Sequence, residues 1–94
     1  MNKFWSDIAW DEYLQWQMLD KKTLKKINSL IKDIERNGVS DGIGKPEPLK
    51  YRKAWSRRID HENGLVYNID SNNNLLIISC KGQSAIYHTC SKLQ

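Results

Sequence analysis

The sequence predicts an α+β domain in which an N-terminal helical hairpin packs on one face of a twisted, mainly antiparallel sheet. Three observations carry this. Leu24, Ile27, Ile31 and Ile34 step by three, four and three residues, the spacing of one buried helical face. Three short apolar runs follow at 54–59, 65–69 and 75–81, separated by the turn-forming clusters Asn63-Gly64 and Ser71–Asn74. Finally, 94 residues with 39% hydrophobic content suffice for one self-supporting core.

In chain order, Lys3–Trp5 is a short strand candidate and Ser6 caps a helix from Asp7 to about Leu19. Asp7, Asp11 and Glu12 lie in its early turns, where the helix dipole favours negative charge. Trp10, Tyr13, Leu14 and Trp16 give this helix an aromatic side, expected in the core. Asp20 caps a second helix that ends near Asn37, with Gly38 as its C′ residue. Lys21, Lys22, Lys25, Lys26 and Lys32 fall mostly on its outer face, and so short a link between helices requires an antiparallel hairpin. A connector at 42–49 leads to strands at 54–59, 65–69 and 75–81. Asn63-Gly64 reads as a two-residue type I′ turn with φ > 0 at both positions. Within the first of these strands, alternation puts Trp55 and Ile59 on the helix-facing side and Ser56 and Arg58 on a solvent-facing side. Residues 1–82 then form one domain, and 83–94, without periodicity, a tail expected to be disordered.

Charge is unevenly spread. The net +4 divides into −3 over residues 1–20, +8 over 21–58 and −1 over 59–94. A basic middle third suits a nucleic acid or an acidic protein partner. No apolar run is long enough to span a bilayer and the N-terminus lacks a signal pattern, so a cytoplasmic protein without membrane contact is expected. Cys80 and Cys90 form no CxxC and no zinc spacing with His61 or His88; reduced thiols, no metal and no cofactor are expected.

The chemistry concentrates in GIGKPEPLKYRKAWSRRI, residues 42–59. Glu47 is held between Pro46 and Pro48, which restrict their own φ and bias the preceding residues to extended conformations. Lys45, Lys50, Arg52, Lys53, Arg57 and Arg58 surround it and form the candidate RNA-binding set. A stiffly held carboxylate among cations suits a general base acting on a polyanion, because the cations bind phosphate and keep the carboxylate ionised.

KPEPLK, WSRRI, LVY and the final LLIISCK, preceded by WDEYLQWQ and DKKTLKKINSLIKDIERNG, resemble the YoeB/Txe branch of the RelE-type toxins of bacterial toxin–antitoxin systems, over residues 3–81. The resemblance implies a small RelE-like fold. It also implies a ribosome-dependent, metal-independent endoribonuclease, in which the 2′-hydroxyl of mRNA attacks the adjacent phosphate. Glu47 then falls on the general base, and Lys50 and Arg58 on phosphate-binding positions. The implied partners are a cognate YefM/Axe-type antitoxin, the ribosome and mRNA, with homodimerisation left open.

Three family positions are altered. Before LVY the family carries an arginine where this chain has Gly64, and its terminal His-Tyr pair is replaced by Gln83 and Ser84. Glutamine cannot donate a proton near neutral pH and glycine offers no cation. Tyr87-His88 is either a displaced copy of that pair, with His88 as the acid, or an exposed stretch of tail. The expectation is a toxin with impaired catalysis; the alternative is an inactive homologue that only binds antitoxin, RNA or the ribosome.

Overall fold

The structure, a computed structural model, describes residues 1–82; the tail, with Gln83, Ser84 and His88, lies outside the described residues. Seven elements follow in order: β1 Lys3–Trp5, α1 Asp7–Leu19, α2 Lys21–Asn37, β2 Glu47–Pro48, β3 Trp55–Arg58, β4 Gly64–Ile69 and β5 Leu75–Ser79. The sheet order is β1-β5-β4-β3-β2. Among the described strands only β1 and β5, which comes back beside it, form a parallel pair.

Both helix starts are capped as their sequences dictate. Ser6 Oγ accepts from Ala9 N–H at 2.9 Å and itself donates to Ile78 O at 2.7 Å, so one hydroxyl starts α1 and ties it to β5. Asp20 accepts from the backbone N–H groups of Lys22 and Thr23 and from the Thr23 hydroxyl. Asp20 is also the only residue between the helices, which sets their antiparallel arrangement. Gly38 ends α2 with φ near +87° and its N–H on Ile34 O.

The apolar face of α2 packs as its spacing requires. Ile27, Leu30, Ile31 and Ile34 are buried together with Leu65, Tyr67, Leu75, Ile77 and Ile59, with Leu24 and Trp55 packed against them. The helix α1 departs from expectation. Trp16 is buried and its indole N–H donates to Cys80 O at 2.9 Å, but Trp10 and Leu14 are exposed. Trp10 instead closes a surface aromatic cluster with Trp5 and Tyr13, at centroid separations of 5.6 and 5.8 Å. Apolar residues surround α1 on several sides, so its composition alone does not choose the buried side.

The β3–β4 connection also differs from expectation. Asn63-Gly64 is not a two-residue type I′ turn. The chain turns over 59–63, with the N–H groups of Ile59 and Asp60 both on Asn63 O. Gly64 begins β4 opposite Arg58, and it is not among the glycines with positive φ. The Asp60 carboxylate organises this longer turn, accepting from Glu62 N–H, Asn63 N–H and the Asn63 amide. A strong local dipeptide preference is here overridden by an aspartate one turn earlier.

Candidate functional site

The basic stretch resolves into a strand edge. Glu47 stands opposite Ser56 in the β2–β3 ladder, and β3 continues through Arg57 to Arg58, which stands opposite Gly64. Side chains two apart on a strand share a face, about 7 Å from one another along it. Glu47, Ser56, Arg58 and position 64 therefore lie on one face of the sheet, the side away from the helices, where Ser56 and Gly64 are buried and Glu47 and Arg58 exposed. Glu47 and Arg58 are exposed, as are Lys45, Lys50, Arg52 and Lys53. The residue at 64 would carry its side chain beside Arg58. Ser56, expected in solvent, is 2% exposed: a small side chain between its ladder neighbours Glu47 and Val66.

The segment 49–54 closes tightly between the two strands. Leu49 N–H donates to Ala54 O at 2.8 Å, and Ala54 N–H to Arg52 O at 2.9 Å. Lys50 and Arg52 are thereby carried on a short turn next to Glu47. The Lys50 ammonium lies 5.7 Å from the centroid of the Tyr51 ring, a cation–π distance.

Arg57 does not belong to this surface. Alternation sends it to the opposite face, and its side chain has no solvent exposure. Its Nε–H donates to the Tyr67 hydroxyl at 2.9 Å, Nη1 to Asp33 and to Ile43 O, and Nη2 to Gly38 O and Asp41 O. A guanidinium has five N–H groups, and all five are used, leaving none for a phosphate. This corrects the expectation of Arg57 as an RNA contact: of the two adjacent arginines, β-strand alternation gives one to the interior and one to the surface. The Arg57 hydrogen bond holds the Asp33 carboxyl below its usual range.

The end of β5 approaches the same surface. Glu12 Oε1 accepts from Cys80 N–H at 2.7 Å, and Gly82 N–H donates to Asn63 Oδ1 at 2.7 Å. Gly82, the last described residue, is thus held one residue from Gly64. Burial pushes the Cys80 thiol up to about 12, so it stays protonated, and it lies against Ala9 O at 3.6 Å. Burial also raises the Glu12 carboxyl, against the lowering effect of the Cys80 N–H and Lys81. No cluster of three or more His, Cys, Asp or Glu residues able to hold a metal occurs among the described residues. No helix among them is long and apolar enough to cross a membrane.

Residues 5–84 match the family model described as a YoeB-like toxin of bacterial type II toxin–antitoxin systems. The chain belongs to this family. It is 49% identical over 83 residues to Toxin YoeB of Escherichia coli K12, covering 86% of this chain and 96% of that protein. The fold matches the YoeB–YefM heterotetramer of Staphylococcus aureus with a TM-score of 0.80 at 49% identity, over 86% of this chain and 94% of that one. The YoeB dimer of Staphylococcus aureus matches with a TM-score of 0.81 at 48% identity over the same shares. In this YoeB-like toxin, position 64 is Gly and positions 83 and 84 are Gln and Ser.

Proposed function

We propose that this toxin is a ribosome-dependent, metal-independent mRNA endoribonuclease with strongly attenuated catalysis. The observation that carries the reading is the placement of an exposed carboxylate and an exposed guanidinium, Glu47 and Arg58, on one face of adjacent strands. Glu47 takes the proton of a ribose 2′-hydroxyl. The O2′–P bond forms as the P–O5′ bond breaks, leaving a 2′,3′-cyclic phosphate and a 5′-oxygen that must gain a proton. Arg58 and Lys50 stabilise the charge that develops on the non-bridging oxygens. Lys45, Arg52 and Lys53 add salt-dependent attraction for the RNA backbone.

Attenuation follows from positions 64 and 83. A guanidinium at 64 would sit beside Arg58, and its absence removes a donor to the transition state, worth about 10²–10³ in rate. With Gln83 the leaving oxygen takes its proton from water, a loss of about 10²–10⁴. Backbone strain does not enforce the glycine, since Gly64 is not at positive φ. The physiological partner is an antitoxin of the YefM type, supported by the Staphylococcus aureus complex. An acidic or amphipathic segment folding onto the surface of Arg58 and Lys50 would mask it.

Inducible expression tests this, with mRNA 5′ ends mapped on ribosomes. The native chain should cut weakly, and Gly64→Arg alone should recover little. Gly64→Arg with Gln83→His and Ser84→Tyr should recover far more than the single changes together, as groups acting on one transition state do. Efficient cutting by the native chain would remove the attenuation. If that cutting then disappeared in His88→Ala, His88 would be the acid. No cutting by either chain, with antitoxin still bound, would leave a binding module.

A further inference from the structure

The connector between α2 and β2 has no helix or strand from 38 to 46, yet its backbone groups are systematically partnered. Gly38 O, Asp41 O and Ile43 O all accept from the Arg57 guanidinium. Val39 O accepts from the Tyr67 hydroxyl at 2.6 Å, and Gly44 O from Arg58 N–H at 2.6 Å. Ile43 N–H donates to Asp33, the carboxylate that also binds Arg57. Backbone groups shielded from water must find partners, and here three side chains, Arg57, Tyr67 and Asp33, replace a ladder. The fit is close: a Cβ at Gly42 would collide with the Asp33 carboxylate and Arg57 Nη1, and one at Gly44 would lie 2.8 Å from Leu30 Cδ2.

This connector delivers Glu47, only four residues beyond Ile43. From the other side Glu47 is registered by Ser56, the residue just before Arg57. Three consecutive residues of β3 thus act on one point: Ser56 pairs with the Glu47 backbone, Arg57 fixes its approach from beneath, and Arg58 stands on its face. We infer that Arg57, oriented by Asp33 and Tyr67, is a positioning residue for Glu47, transmitting the rigidity of α2 and β4 to the edge strand that carries the base. The inference rests on the reading of Glu47 as that base. A base must come within about 3 Å of the proton that it removes. Displacement by about 1 Å can cost about 10²-fold in rate, so an edge strand of two residues needs such support.

Tyr67→Phe and Asp33→Asn in the full-length protein test this, since the first keeps the core ring and the second the side-chain shape. Amide exchange should quicken at Ile43 and Arg58, whose N–H groups report the connector, while Val66 and Ile77 in the central strands stay protected. Single-turnover cleavage on programmed ribosomes should fall by about 10–10²-fold with RNA affinity within about threefold, because Arg58 and Lys50 are untouched. The NMR chemical shifts of the Glu47 side-chain methylenes should also move in both variants, a readout of position that needs no activity. Uniform loss of protection across the sheet, or unchanged Glu47 side-chain chemical shifts, would overturn the positioning role. A native chain without any cleavage would overturn the nuclease reading instead, and the Glu47 side-chain chemical shifts would still decide the positioning.

Discussion

Two loops frame the candidate surface, and they are held in opposite ways. The 38–46 connector depends on side chains from α2, β3 and β4: Asp33, Arg57 and Tyr67. The 59–63 turn is held mainly by itself, with Asp60 bonding to residues two and three positions ahead and a single longer-range contact from Gly82 N–H to Asn63 Oδ1. The connector can therefore form only when the core forms, whereas the turn is an almost purely local structure. The difference teaches where a small protein places its less replaceable charges. Arg57 is buried because a loop of nine residues has carbonyls that nothing nearby in sequence can satisfy.

The sharpest way to break the contrast is Arg57→Met, which leaves Asp33 without its cation and three connector carbonyls without their donor. Loss of one member of a buried ion pair typically costs about 3–5 kcal/mol, and urea unfolding should show a destabilisation in that range. A smaller effect is expected from Asp60→Ala. The turn loses an acceptor in a solvent-exposed setting, where losing such a cap costs about 1 kcal/mol, and connector amides should keep their protection. If Asp60→Ala proved as damaging as Arg57→Met, the turn would not be local.

The smallest effect, and the one that joins the two loops, is their response to acid. The Arg57 hydrogen bond lowers the Asp33 carboxyl; at Asp60, burial works upward but hydrogen bonds from Asn63 and from the Glu62 and Asn63 amides bring it below its usual range. A carboxyl lowered in the folded state accepts its proton first in the unfolded chain. Both contributions are thus fully present above the ordinary aspartate value of about 3.9 and are lost as pH falls through the lower folded-state values. Thermal unfolding from pH 6 to pH 2 should show stability flat at first and then falling. Asp33→Asn and Asp60→Asn should each make that fall shallower. Glu12 acts in the opposite sense, because a raised folded-state carboxyl favours folding as it becomes protonated. Glu12→Gln should therefore steepen the acid fall slightly.

Much of the molecule was legible in its residue order. The α2 stripe, the caps at Ser6 and Asp20, and the strand positions follow from periodicity and local hydrogen bonding, which act over a few residues and do not need the rest of the chain. KPEPLK and WSRRI likewise marked the adjacent strands on which Glu47 and Arg58 share a face. Alternation along β3 would also have separated Arg57 from Arg58, since it had already put Trp55 on the helix side, two residues from Arg57. The charge of Arg57 concealed this, because an arginine is buried only when partners exist, and these lie 10 to 24 residues away in sequence.

Tertiary structure alone decided the rest. Which side of α1 is buried depends on where β5 lies, since Trp16 is drawn inward by Cys80 O while Trp10 remains outside. The length of the β3–β4 turn depends on the pairing of Arg58 with Gly64, which leaves Gly64 inside the ladder despite its strong turn preference. Short-range preferences choose among local conformations differing by about 1 kcal/mol. Satisfying buried polar groups and closing the ladder involve several such increments together, so where the two disagree the tertiary arrangement prevails.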